Sequence, residues 1–263
     1  MWLKASCGTS LMNRILIALA TLGVAGCIAI GDSTRPIAAE TFAAPRPPAA
    51  RTLVIVLPGF GVDAQEMRDR GIAHTIQEAW PEADVLLTSA TFAYYRDGKL
   101  VRRLHEDVVA PAVHAGYRRI WLAGASMGGM GALLYEREHG ALLTGVVLFA
   151  PFLGDHALLE EIRKAGGLRN WDPGPLPESI DATNYQRHVW KMVREWTERP
   201  ERASRVWVAS GSEDRMVNGA RLLATALPEG RLIEMSGGHT WNTWIVLGKA
   251  VFSRIRTVEP DAL

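Results

Sequence analysis

The sequence predicts one α/β domain built on a largely parallel sheet with helices on both faces, and three observations carry that expectation. Six short apolar runs rich in β-branched residues recur along the chain: Thr52–Leu57, Asp84–Thr88, Arg119–Ala123, Gly145–Phe149, Arg205–Ser210 and Arg231–Met235. Near-continuous apolarity of this kind is what strands buried on both faces require. Between them, Ala64–Ala79, Val101–Ala115, Met127–His139, Val217–Ala226 and Thr243–Arg256 place apolar residues at helical spacing, the alternation of βαβ units. A chain of 263 residues, 48% hydrophobic and 22% charged, can bury one sizeable core, and no internal repeat or second domain is visible.

Taken in order, the chain opens with Lys4 and Arg14 ahead of an apolar run from Ile15 to Val24, too short to span a bilayer but suited to the apolar region of a secretory signal. Met1 and Met12 both qualify as the start. Small residues then precede a cysteine in Leu22-Gly23-Val24-Ala25-Gly26-Cys27, which resembles the lipobox of bacterial lipoproteins. The resemblance implies cleavage before Cys27, lipidation of Cys27 and a bacterial cell-envelope location on the periplasmic or extracellular face. The alternative is an ordinary secretory signal cut near Ala38-Ala39. Cys7 and Cys27 are the two cysteines, so the folded part is expected to hold neither a disulfide, a thiolate nucleophile nor a Cys-ligated metal. Residues 27–51, rich in Ala and Pro, read as a tether between the lipid and a domain spanning residues 52–263.

One connection is too long for an ordinary crossover: from Pro151 to about Ala203, between Phe149 and the next strand. It reads as a cap or lid insertion. Within it, Asn184–Trp196 puts Tyr185, Val189, Met192, Val193 and Trp196 on one helical face, a stripe that fits either a lid or simple packing on the main domain. Charge excludes one class of partner. Lys+Arg 29 against Asp+Glu 28 leaves a net charge of +1 and no broad basic field for nucleic acid.

The chemistry is concentrated in loops that follow strands. Gly124-Ala125-Ser126-Met127-Gly128 matches G-x-S-x-G, with a strand directly before it and a helical stretch directly after. A serine at such a turn is lifted above the sheet, while flanking side chains would collide with the neighbouring elements. A hydroxyl is a weak nucleophile and needs a base, and the base needs an orienting group. Asp214 follows one late strand in Gly211-Ser212-Glu213-Asp214, and His239 follows the last strand in Ser236-Gly237-Gly238-His239. The other six histidines fall in or at the ends of predicted helices or in the insertion, so His239 is the expected base. Glu213 rivals Asp214 as the acid. An anion site for the tetrahedral intermediate requires two backbone N–H groups. Met127 supplies one, and Phe60 in Leu57-Pro58-Gly59-Phe60-Gly61 is the candidate for the second, since Pro58 has no N–H.

These four segments resemble the site segments of the α/β-hydrolase superfamily, and the likeness runs from about Thr52 to the end of the chain. Gly238-His239-Thr240-Trp241 also resembles the histidine segment of esterase D and its relatives. The resemblance implies an eight-stranded sheet, of which the six runs are strands three to eight, with the lid between the sixth and seventh. The first antiparallel hairpin is then either absent or contained in residues 28–51. Pro58-Gly59 departs from the common His-Gly oxyanion pattern, which leaves the second donor open.

The function expected is a membrane-tethered carboxylic-ester hydrolase that works through an acyl-enzyme on Ser126, with His239 and Asp214 completing a triad and no metal or organic cofactor required. A small-molecule or lipid ester is the expected substrate. An acyltransferase, a thioesterase and an inactive lipid-anchored binding protein are the alternatives, since one fold hosts many reactions. Trp190, Trp196 and Trp241 are the candidate pocket residues, and Trp171 and Trp244 belong to the same aromatic group; core packing is the competing role for all of them.

Overall fold

The computed structural model describes residues 29–46, 51–181 and 183–258. A seven-stranded sheet in the order β1-β3-β2-β4-β5-β6-β7 forms its centre. β2 (Thr52–Leu57), β3 (Ala83–Thr88), β4 (Arg119–Ala125), β5 (Gly145–Phe149), β6 (Val206–Gly211) and β7 (Leu232–Met235) are mutually parallel, while β1 (Ala39–Phe42) runs antiparallel to β3 at one edge. Their side chains alternate between two cores. Leu53, Ile55 and Leu57 of β2 and Ile120 and Leu122 of β4 face one, and Val54, Val56, Trp121 and Ala123 face the other. Both faces are thus apolar, as a parallel sheet between helical layers demands.

On the second face lie α1 (Ala64–Asp69), α2 (Ile72–Ala79) and the C-terminal α11 (Trp241–Val258), which bury Met67, Ile76, Leu247, Val251 and Phe252 there. The predicted helix Ala64–Ala79 is therefore two. Gly71 breaks it at φ +72°, a left-handed conformation that glycine adopts without a Cβ clash. The first face carries α4 (Leu100–Leu104), a π-helical turn at His105–Val109, α5 (Ala110–His114) and α6 (Met127–His139). α3 (Phe92–Arg96), too short to show a period, sits between β3 and α4.

The insertion between β5 and β6 contains α7 (His156–Lys164), α8 (Tyr185–Trp196) and α9 (Pro200–Ala203). Asp155 caps α7, its side chain accepting from the Leu158 amide at 2.9 Å. α8 buries Val189, Trp190, Met192, Val193 and Trp196 in the same core as Ala132 and Leu133 of α6. Glu161 clasps α7 to α8, accepting from Arg187 Nη1 at 2.9 Å and from Trp171 Nε1 at 2.9 Å. Farther along, the fully buried Glu136 of α6 receives Arg202 at 2.9 Å and Arg205 at 3.3 Å, which ties the end of the insertion back to the domain. α10 (Val217–Ala224) then follows β6.

The segment read as a tether is part of the domain from Ala29 to Arg46. Ser33 Oγ donates to Asp97 at 2.6 Å, the Ile37 amide donates to Asp107 at 2.8 Å, and Ala39–Phe42 is β1. The physical reason is the free edge of β3, whose backbone groups need a partner. A four-residue edge strand with alternating exposure has no apolar run to announce it. Cys27 and the apolar run before it lie outside the described residues. No helix among the described residues is long and apolar enough to cross a membrane.

Candidate active site

β4 ends in a turn that holds Ser126 at φ +54°, ψ −115°, one of the two non-glycine residues with positive φ among those described. A non-glycine backbone reaches that region only when its surroundings force it. Here the force comes from close packing. A Cβ on Gly124 would fall 2.2 Å from the Gly128 carbonyl oxygen, and one on Gly128 would fall 2.4 Å from that of Leu57. Both glycines of the motif are thus required by the approach of α6 to β4 and β2. The Ser126 amide donates to Phe149 of β5 at 2.9 Å, and its carbonyl accepts from Phe152 at 2.9 Å. Met127 is the first residue of α6, where helical N–H groups lack intrahelical acceptors and point outward.

The loop after β2 lies against this turn, since a Cβ on Gly59 would stand 3.8 Å from Ser126 Cβ. Phe60 follows it, 56% exposed, with its ring edge-on to Phe92 at 5.2 Å. Across the sheet, the loops after β6 and β7 bring Asp214 and His239 together. His239 Nδ1 meets both carboxylate oxygens, at 3.0 and 2.9 Å, and Asp214 Oδ1 also accepts from the Met216 amide at 2.8 Å. Asp214 is 2% exposed. A buried carboxylate facing Nδ1 places the ring proton there and leaves Nε2 with its lone pair. Glu213, the rival acid, points into solvent, and hydrogen bonds from Ser212 and Ser236 hold its carboxyl below the usual range. The geometry therefore pairs His239 with Asp214.

The remaining histidines are elsewhere. His105 stacks on His139 at 4.3 Å and meets Tyr135, while His188 is buried in α8. His74 and His156 face glutamates one helical turn on, and His114 meets the Ala110 carbonyl.

Of the candidate pocket tryptophans, Trp190 and Trp196 belong to the core, 0% and 1% exposed, and Trp190 Nε1 donates to the Leu153 carbonyl at 2.7 Å. Their expected place in the pocket is corrected: the strongly amphipathic face of α8 packs inward on α6, so its largest residues are its most buried. Trp241 is different. It lines a narrow apolar cavity of about 40 Å³ with Gly59, Ala125, Ile72, Trp244 and Phe252. Trp244 also stands edge-on to His239 at 4.8 Å and to Trp241 at 5.2 Å. A second cavity, of about 220 Å³, lies between Pro151, Leu153 and Leu159 at the start of the insertion and Arg215, Met216 and Gly219 after the acid. Trp244 was legible as the residue one helical turn beyond Trp241. Arg215 carried no signal beyond standing next to Asp214. Among the described residues no group of three His, Cys, Asp or Glu side chains could hold a metal ion.

A largely parallel sheet with a strained serine turn after one strand and an acid–histidine pair after two later ones defines an α/β-hydrolase. The chain belongs to the esterase family: the family profile described as "Putative esterase" matches residues 103–247. It is accordingly a carboxylic-ester hydrolase. Among solved structures, Est1E from Butyrivibrio proteoclasticus is similar over 86% of this chain and 95% of its own, with TM-score 0.56 and 17% identity. The S-formylglutathione hydrolase of Staphylococcus aureus is similar over 86% and 99%, with TM-score 0.56 and 13% identity. A monoacylglycerol lipase of Paleococcus ferrophilus covers 84% and 99%, with TM-score 0.54 and 14% identity. At such identities the likeness is one of fold. None of the curated proteins matches the sequence.

Proposed function

We propose that the protein hydrolyses carboxylic esters through an acyl-enzyme on Ser126, with His239 as general base and acid and Asp214 as the group that orients it. The bidentate meeting of Asp214 with His239 Nδ1, at the edge of the sheet where Ser126 is raised, is the observation that carries this reading. His239 Nε2 takes the Ser126 proton as Oγ bonds to the acyl carbon, and the carbonyl π pair moves to oxygen. The amides of Met127 and Phe60 receive that oxyanion without reorganising, a contribution worth about 10²–10³ in rate per donor. Collapse breaks the bond to the alkoxy group, which leaves with the proton from Nε2. Water then repeats the sequence, releasing the carboxylic acid and regenerating Ser126.

The protein acts at the cell envelope, anchored through a lipid on Cys27, on a small-molecule or lipid ester. Support for the anchor comes from Lys4 and Arg14 ahead of the apolar run Ile15–Val24 and from the small residues before Cys27. Trp241 and Trp244 form the apolar wall beside His239 that an acyl group would meet.

The test is a pair of measurements on Ser126→Ala. Turnover of short acyl esters and labelling by a fluorophosphonate should both vanish, with the melting temperature unchanged, because a missing oxygen at the turn leaves almost no cavity. Retained labelling would remove Ser126 from the nucleophile's role.

A further inference from the structure

The proposed anchor and the mouth of the active site are joined by a short path. The first described residue, Ala29, donates its amide to the Gly61 carbonyl at 3.1 Å, in the loop whose Gly59 lies against Ser126. The Ile30 carbonyl next accepts from the Ala93 amide at 2.8 Å, which fixes this stretch on α3 as well. Cys27 is two residues before Ala29, and two residues of chain reach at most ~7 Å. Chain length alone thus tethers a lipid on Cys27 to Ala29 and, through it, to the Phe60 loop.

That place is apolar. Ile30 is 44% exposed and Phe60 is 56% exposed, two of the few large hydrophobic side chains left in solvent among the described residues, and Phe92 packs on Phe60 from the side. Of the acids bordering them, Asp32 pairs with Arg35 at 3.5 Å and Asp97 with Arg96 at 2.8 Å, while Asp63 caps α1 by accepting from the Glu66 amide at 2.9 Å. Isolated exposed hydrophobics need no explanation; three aromatic or aliphatic side chains gathered where an acyl anchor emerges do. An apolar contact of this kind adds buried area at the bilayer interface and fixes which face of an anchored domain meets it.

We infer that Ile30, Phe60 and Phe92 dock on the membrane that carries the anchor, so that the mouth above Ser126 opens onto the lipid surface and takes esters presented from the bilayer. The acyl chain of such an ester enters past Gly59 toward the apolar cavity lined by Trp241 and Trp244. This rests on the lipid at Cys27, and it adds an orientation and a substrate class to the proposed activity.

The experiment uses the full lipidated protein in phosphatidylcholine vesicles, with Ile30→Cys or, as a control, Val113→Cys carrying an environment-sensitive bimane label. Val113 is also exposed but sits on α5, ahead of the amino end of β4 and so at the opposite edge of the sheet. Both variants should keep fluorophosphonate labelling at Ser126, which reports the folded site independently. Lipids brominated in their acyl chains should quench the label at position 30 at least roughly twofold more than at 113, since interfacial side chains reach ~5–10 Å into the headgroup boundary. Equal quenching at the two positions, with lipid found on Cys27 by mass spectrometry, overturns the orientation and leaves the anchor standing. An unlipidated Cys27 overturns both, while fluorophosphonate labelling continues to decide the hydrolase reading.

Discussion

A carboxylate that meets one ring nitrogen through both oxygens controls which tautomer the ring adopts, and Asp214 does this to His239 from a buried position. Asp214→Asn should therefore cost about 10⁴ in kcat with little change in KM, because an amide can present its NH₂ to Nδ1 and move the ring proton to Nε2. Glu213→Gln should stay within a few-fold of the parent, its carboxylate being spent on Ser212 and Ser236 in solvent. Steady-state kinetics on the two variants decides between the acids, and a reversed order would move the role to Glu213. Gly128→Ala tests the turn itself. Its Cβ would have to displace the Leu57 and Pro58 carbonyls, which lead into the Phe60 loop, so kcat should fall by ~10² or more as the second oxyanion donor shifts. These neighbours come from the end of β2 and the residue after it, some seventy residues away in sequence, and only the assembled sheet brings them to Gly128.

At the scale of elements, α8 and the start of α11 divide the tryptophans between two tasks. Trp196→Ala empties a fully enclosed site against α6 and should cost ~3–5 kcal/mol, with the ranking of acyl chain lengths in kcat/KM preserved. Trp241→Ala removes a cavity wall that is itself only partly buried, so the ranking should change while the melting temperature falls little. Melting curves and a chain-length series on the same two proteins check both. The insertion is also locked at its end by Glu136, which has no exposure and two arginine partners. Glu136→Leu strands Arg202 and Arg205 without their acceptor at the rim of the core, and chemical denaturation should show a loss of ~3–5 kcal/mol.

For the whole molecule, acid sensitivity follows from histidines held neutral. Burial in α8, with Arg137 nearby, pushes His188 below its ordinary value, and burial with His105 alongside does the same to His139. A base whose folded value is depressed stabilises the fold above its unfolded value of about 6.5 and loses that contribution as the pH falls through it toward the folded value. The melting temperature should thus be level near pH 8 and decline below about pH 6.5, and His188→Asn should flatten part of that decline in calorimetry across the same range. The layered sheet, the serine turn, the histidine and the helix Met127–His139 were legible because each is local: an apolar strand buried on both faces, or a glycine pair about a serine, states its own environment. β1 was not legible, since four alternating residues owe their structure to the open edge of β3, and the Ala/Pro-rich composition around them pointed instead to a tether. The choice of Asp214 over Glu213 could not be read from adjacent positions on one loop; it depended on which side chain the β7 loop faces. The same holds for Trp196, whose helical stripe is identical for a lid and for a core, and for Trp190 on the same helix. The sequence by itself determined the alternation of strands and helices and the serine, acidic and histidine residues at the strand ends, because these follow from spacing along the chain. The tertiary structure alone decided partners, since contact between residues far apart in the chain depends on how strands pair and helices pack, which no local pattern encodes.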